Sequence, residues 1–248
     1  LTRPDAPWPV TTRPAFGDVV AALAVAGGVS AALYERAVTG HAPVVDASLL
    51  AAGMWQIQPD IVNAALGDED THPRAPDRLE TRNPLMLTYR TRDGRFVALM
   101  MLSPDRSWPE LCEAVGQPEM ASDPRFATMG DRHANARACV EWLDAVFARR
   151  TLDEWRRALA DFGGEWAPVQ APRELHDDPQ VQANGYVADV EVGPDVSLPL
   201  VTSPVQFDES PGRPRRAPEH GEHTEAVLLE LGLSWDQIGE LQRSGVIL

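Results

Sequence analysis

The chain has 248 residues, with 22 basic against 37 acidic side chains and a formal charge of −15, a balance that excludes the basic face nucleic acids or anionic membranes require. Every cation is arginine, so Schiff-base lysine chemistry and P-loop phosphate binding are excluded as well. At 44% hydrophobic and 24% charged residues, the composition is that of a globular chain able to bury a core.

Residues 1–14 are rich in proline, carry arginines and have no apolar core, and are read as neither signal peptide nor anchor. Asp18 then precedes an Ala-rich apolar run, and an aspartate there can accept hydrogen bonds from the first free N–H groups of a helix. A helix is predicted over residues 18–38, stopped where Gly40 supplies a left-handed residue. Its apolar run, 19–33, falls short of the roughly 20 residues that span a bilayer, so the helix is expected to be buried. A short β-branched piece, 42–46, leads into a second helix over 48–66, apolar on most faces and expected to be buried on several sides. Residues 67–83 mix acids, prolines and arginines without hydrophobic periodicity and read as a linker.

Two strands, 85–90 and 95–101, flank an Asp93-Gly94 turn of the hairpin kind. Helices follow at 104–115, 134–148 and 152–162, packed against the hairpin, the last opened by Thr151 and Glu154 in a capping box. Beyond lie β-prone pieces at 186–192 and 198–205 and an Arg- and Pro-rich extended linker at 211–218. Two terminal helices, 222–231 and 234–244, are split by Gly232, with a second capping box at Ser234 and Gln237.

Cys112 and Cys139 lack the number and spacing of a disulfide framework or a metal site and are read as buried thiols in a reducing cytoplasm. The six histidines, His41, His72, His133, His176, His220 and His223, hold no i, i+4 pair, and no metal is expected. The seven tryptophans, from Trp8 to Trp235, are spread over all segments as core or interface anchors. No P-loop, GxSxG, HExxH or GxGxxG pattern occurs. Composition and periodicity therefore stop at a cytoplasmic α/β protein.

Six stretches in order are more specific. They are Phe16-Gly17-Asp18; Glu35-Arg36 through Gly40 to Val44-Val45-Asp46-Ala47-Ser48; Asn83-Pro84-Leu85 to Asp93-Gly94; Trp166-Ala167-Pro168-Val169-Gln170; Asp178-Pro179-Gln180 with Asn184-Gly185-Tyr186; and the tail from Gly221-Glu222-His223-Thr224 to Val246-Ile247. Together they resemble the family III CoA-transferases, a group that also holds the α-methylacyl-CoA racemases. The resemblance implies an α/β fold of which this chain supplies the C-terminal part: residues 1–66 in the large domain, 67–84 as linker, 85–205 as a small α/β domain, and 206–248 as a linker and helices returning to the large domain. Family members place a nucleotide-binding half before the Gly-Asp motif. The expectation is that a separate partner chain supplies that half, in a hetero-oligomer of interlocked halves.

The resemblance also implies a mechanism, CoA transfer from an acyl-CoA to a carboxylic acid with Asp18 as the nucleophile. An ionised carboxylate at a helix N-terminus suits that role, and a plain helix cap is the structural alternative. Gly17, Val44, Asp46, Ser48, Arg82 and Asn83 are the residues expected around coenzyme A, Arg82 because a guanidinium fork matches phosphate geometry. His223 is expected to cap the terminal helix or meet the partner half. Two departures stand out: Val19, Val20, Ala21 and Ala22 replace glycines that follow the aspartate in many members, and Ser103-Pro104 stands where racemases place a glutamate before proline. The second weakens a racemase-like subunit; the first is the best support for a subunit that only shapes its partner.

Overall fold

The computed structural model describes residues 13–66 and 77–247. Trp8, His72, most of residues 1–14 and the first part of the expected linker lie outside the described residues. The chain divides into two compact units, Leu1–Pro168 and Val169–Leu248.

The first unit opens with α1 (Phe16–Thr39), α2 (Leu49–Gln56) and α3 (Gln58–Leu66). Gly40 ends α1 at φ 77°, its N–H bonded to the Arg36 carbonyl, as the sequence predicts. The single helix expected over 48–66 is instead two. Pro59 has no N–H to give the preceding turn and its ring crowds the carbonyl four residues back, so the chain breaks at Ile57.

The burial expected of these helices is not found within this chain: none of α1, α2 or α3 has a buried residue. Their apolar side chains lie open, with Leu33 57%, Trp55 73% and Leu66 80% exposed. The apolar run also underestimates the helix. At 24 residues, with a mean hydropathy of 1.8 over an 18-residue stretch of it, α1 is long and apolar enough to cross a membrane by length and composition.

The rest of the unit is built around a three-stranded antiparallel sheet, β1 (Thr88–Arg90), β2 (Phe96–Leu99) and β3 (Trp166–Pro168), in the order β1-β2-β3. The turn between β1 and β2 needs Gly94 at φ 77°, and is closed by the Thr91 N–H on the Arg95 carbonyl at 2.8 Å. Residues 85 and 86, predicted as the start of the first strand, lie instead in a 3₁₀ turn over Pro84–Met86, because Pro84 starts it and the Asn83 side chain caps it.

Against the sheet pack α4 (Pro104–Ala114), α6 (Ala136–Phe147) and α7 (Leu152–Ala158), while the short α5 (Met129–Ala134) lies beside α6. The helix predicted over 134–148 begins two residues later and ends at Phe147; Ala134 instead closes the separate turn of α5, divided from α6 at Asn135. The Thr151–Glu154 capping box is present, each side chain satisfying the other's backbone N–H. The core runs from Leu85 to Phe162, and its largest side chains are Trp108, Trp155, Tyr89, Phe126 and Phe147. Each fully buried aromatic contributes about 1.5–3 kcal/mol. Tyr89 stacks on Phe147 at 5.2 Å, and Arg78 lies over the Tyr89 ring while forking onto Asp144 of α6 at 2.6 and 2.7 Å.

Cys112 and Cys139 are fully buried in this core, as read from the sequence, and burial pushes both thiols up to about 12. One charge is buried with them. Arg132 is wholly enclosed; it donates to the Phe126 carbonyl at 2.6 Å, lies over the Trp108 ring and pairs with Asp105, whose side chain is 58% exposed.

The second unit holds α8 (Pro179–Ala183), an antiparallel pair β4 (Val187–Gly193) and β5 (Val196–Val201), and α9 (Thr224–Glu230) and α10 (Trp235–Arg243). Asp178 caps α8, accepting from Gln180 and Val181. Ser234 and Gln237 form the predicted capping box of α10. His223 stands at the N-cap of α9, yet its side chain makes no cap hydrogen bond, and its φ of −109° and ψ of 4° are not the extended backbone that capping residues adopt.

Candidate functional site

The backbone ahead of Asp18 is unusual. Ala15 takes a left-handed φ of 63°, rare for a residue with a Cβ, and α1 starts directly after it. The expected cap is therefore absent: the helix begins two residues earlier than predicted, Asp18 is inside its first turn, and no side chain caps it. Among the described residues the Asp18 side chain makes no hydrogen bond, and the residue is exposed. An anionic group in the first turn of a 24-residue helix lies in the field of unpaired N–H groups, which favours charge there. Gly17, half-buried beside it, has open space where a Cβ would stand, so backbone can be approached closely at this point.

The loop carrying Val44, Asp46 and Ser48 lies elsewhere on α1. A Cβ on Gly28 would meet Val45 Cγ1 at 2.7 Å, so the loop crosses the helix at Gly28. Ten residues separate Gly28 from Asp18, about 15 Å along the axis. Val44 and Asp46 are exposed. Ser48 caps α2, its Oγ accepting from the Ala51 N–H at 3.1 Å and leaving the hydroxyl proton free to donate.

Arg82 is exposed, whereas Asn83 is buried and engaged. Its Oδ1 accepts from the Leu85 N–H at 3.0 Å and its Nδ2 donates to the Met101 carbonyl at 2.9 Å. Asn83 thus ties the segment before the sheet to the loop after β2, a role the sequence offered no signal for beyond an Asn-Pro pair. Ser103 stands at the N-cap of α4 without a side-chain cap bond. The described residues hold no group of three His, Cys, Asp or Glu that could bind a metal. Cavities of about 420, 600 and 260 Å³ lie in the second unit, and Asp18 lines none of them.

Comparison with known proteins brings these observations together. The chain is 28% identical over 240 residues to the (R)-2-hydroxy-4-methylpentanoate CoA-transferase of Clostridioides difficile, covering 96% of this chain and 59% of that protein. It is 28% identical over 239 residues to the cinnamoyl-CoA:phenyllactate CoA-transferase of Clostridium sporogenes, covering 95% and 57%. It is 24% identical over 269 residues to a formyl-CoA:oxalate CoA-transferase of Rhodopseudomonas palustris, covering 96% and 61%. The chain thus spans less than two thirds of the length of these relatives. Among solved structures, a CaiB/BaiF family protein from Brucella suis superposes with a TM-score of 0.71 at 24% identity, over 93% of this chain and 59% of that one. A hypothetical protein from Mycobacterium tuberculosis does so at 0.68 and 22%, over 91% and 58%. With the profile of CoA-transferase family III matching residues 2–224, this chain belongs to that family.

Proposed function

We propose that the chain works as part of a transferase that moves CoA from an acyl-CoA to a carboxylic acid, with Asp18 as the nucleophile. The observation that carries this reading is the Asp18 carboxylate, exposed and unbonded among the described residues in the first turn of α1, in a chain of this family. A carboxylate oxygen attacks the thioester carbonyl carbon, the CoA thiolate leaves, and a mixed anhydride forms. The thiolate then attacks the aspartyl carbonyl, releasing the donor's carboxylate and leaving an aspartyl-CoA thioester. The acceptor carboxylate attacks that thioester in turn, a second anhydride forms, and the returning thiolate opens it at the acyl carbon, giving the new acyl-CoA and restoring Asp18. Backbone N–H groups at the start of α1 are suited to stabilise the oxyanion of each step.

Gly17 leaves room for the thioester beside Asp18, Arg82 offers a guanidinium to a phosphate, and Val44, Asp46 and Ser48 complete the proposed coenzyme A contacts; Asn83, buried and bonded to Leu85 and Met101, serves by holding the segment that carries Arg82. We assign the nucleotide-binding part of the fold to a separate chain, in an interlocked hetero-oligomer working in the cytoplasm. The support is the apolar surface of α1, α2 and α3, which is too extensive for solvent. Light scattering on the separately expressed chain is expected to show aggregation; a well-behaved 27.1 kDa monomer overturns the assembly.

The catalytic test is Asp18→Asn, which keeps the size of the side chain and removes the attacking anion. Transfer should fall by several orders of magnitude with folding intact. Wild-type complex given acyl-CoA and no acceptor should accumulate aspartyl-CoA, trapped by hydroxylamine or borohydride as a mass change on the Asp18 peptide. Near-parental transfer by the variant removes Asp18 from the mechanism.

A further inference from the structure

Arginines gather where the turn between β1 and β2 meets the connection from α6 to α7. Arg90, Arg92 and Arg95 flank the Asp93-Gly94 turn, and Arg149 and Arg150 follow the end of α6. Hydrogen bonds bolt the two segments together. The Arg92 N–H donates to the Arg150 carbonyl at 2.9 Å, the Arg92 guanidinium to the Arg149 carbonyl at 3.1 Å, and the Leu152 N–H to the Asp93 carboxylate at 3.2 Å. The cluster is thereby fixed in place before any ligand arrives, which lowers the entropy cost of binding.

The acids at this place are already engaged. Asp93 accepts from the Thr91 hydroxyl as well as from Leu152, and Glu154 accepts from the Thr151 N–H at 2.7 Å and from Arg92 at 2.9 Å. Arg90, Arg149 and Arg150 are left with no carboxylate partner among the described residues. The Arg90 guanidinium lies over the turn, 3.4 Å from where a Cβ on Gly94 would stand, and Arg150 lies over the Trp155 ring at 4.8 Å. Cations after a helix C-terminus are favoured by its carbonyl dipoles, which accounts for Arg149 and Arg150. It does not account for Arg90, which the hairpin brings in from far away in the chain.

Uncompensated cations held together on a chain of formal charge −15 suit an anion, and the setting narrows which one. The overall charge repels a long polyanion such as nucleic acid, whereas a short acidic segment feels mainly what lies within a Debye length, about 8–10 Å at ordinary ionic strength. None of these residues lines a cavity described above, so a small anion has no pocket to enter here. Separate guanidinium forks on a braced surface match several carboxylates carried by one polypeptide. We propose that Arg90, Arg149 and Arg150 form a docking surface for an acidic segment of another polypeptide.

The test reads binding alone, needs no turnover and therefore stands apart from the transferase reading. It uses the intact assembly containing this chain and follows a fluorescein-labelled oligoglutamate peptide by anisotropy. The parent should bind, and added salt should weaken the binding. Arg90→Gln combined with Arg149→Gln should weaken it by about 10-fold, the effect of two lost exposed charge pairs. Arg90→Lys combined with Arg149→Lys keeps the charge and should retain most of it. Arg213→Gln combined with Arg215→Gln, in the linker over 211–218, should leave it unchanged. All four arginines are exposed, so each variant should keep its fold, and its urea midpoint checks this. No binding by the parent, or equal binding by the Arg90→Gln, Arg149→Gln variant, overturns the proposal. Tighter binding of pyrophosphate or single-stranded DNA than of oligoglutamate at the same arginines overturns the assignment to a polypeptide.

Discussion

The Asp105–Arg132 pair should behave as one unit, with each single loss costing nearly as much as losing both. Arg132 is completely enclosed, its Nε has no partner, and Asp105 is the carboxylate that meets its charge. Asp105→Ala leaves that guanidinium buried and uncompensated, a situation that costs about 3–5 kcal/mol in general. Asp105 is 58% exposed, so water reaches the vacated place and the lower end, about 3 kcal/mol, is expected here. Arg132→Met removes the charge while filling much of the volume. It strands the buried Phe126 carbonyl, about 1–3 kcal/mol, and gives up the contact with the Trp108 ring, about 0.5–2 kcal/mol, so about 3 kcal/mol again. Once the arginine is gone, Asp105 is an ordinary surface carboxylate. The double variant should therefore cost about the same as Arg132→Met alone, giving a coupling of about 3 kcal/mol. Urea unfolding followed by tryptophan fluorescence measures all four species, with Trp108 beside the mutated site as reporter. Additive single effects, or a cost below about 1 kcal/mol for Asp105→Ala, would refute the account.

Other outcomes follow from the same geometry. Gly28→Ala should push Val45 and its loop aside, costing about 1–3 kcal/mol of packing against the roughly 1 kcal/mol that alanine gains over glycine in a helix; adding Val45→Ala should turn the net effect stabilising, read from the melting midpoint. Arg216 forks onto Glu222 at 2.6 and 2.8 Å, and with the Glu219 N–H holds that carboxyl down at about 2. A depressed carboxyl contributes stability above its unfolded value of 4.5 and loses it as pH falls through about 2, so an NMR titration of Glu222 should show a midpoint in the strongly acid range that rises with Arg216→Ala. The Cys112 and Cys139 thiols, pushed up to about 12 and buried, should resist iodoacetamide at pH 8 until urea is added; fast native labelling of either would contradict the described core. Thr151→Ala should cost about 1 kcal/mol through the lost cap of α7, measured by denaturant midpoint.

Local chemistry was readable where a few neighbouring residues settle the backbone. Gly40, the Asp93-Gly94 turn and the boxes at Thr151 and Ser234 all act within four residues, and all stand where the sequence puts them. Strand β3 was invisible, since Trp166-Ala167-Pro168 becomes a strand only by pairing with Leu99, Ala98 and Val97, far away in the chain. The start of α1 was misread because a left-handed Ala15 carries no sequence signal. The burial of α1 was misassigned for a different reason: apolar residues announce that a face will be covered, and say nothing about which polypeptide covers it. At the candidate site, Asp18 stood out through its motif, whereas the bracing of Met101 by Asn83 depends on a contact 18 residues apart.

The confinement of the first unit's core to residues between Leu85 and Phe162 also bears on the order in which the chain acquires structure. Sheet, α4, α6 and α7 bring their own interior and can condense as one cooperative unit. The segments of α1, α2 and α3 bring none, and helices of 8 and 9 residues without a packed face are marginal in water. Their persistence depends on what is laid against them, so amide protons from Phe16 to Leu66 are expected at the low end of the protection scale in the isolated chain and near the top in the assembly proposed above. In the assembly proposed above, formation of the first turn of α1 with Asp18 in it is tied to that event, and the isolated chain holds its proposed nucleophile on a segment that has yet to settle.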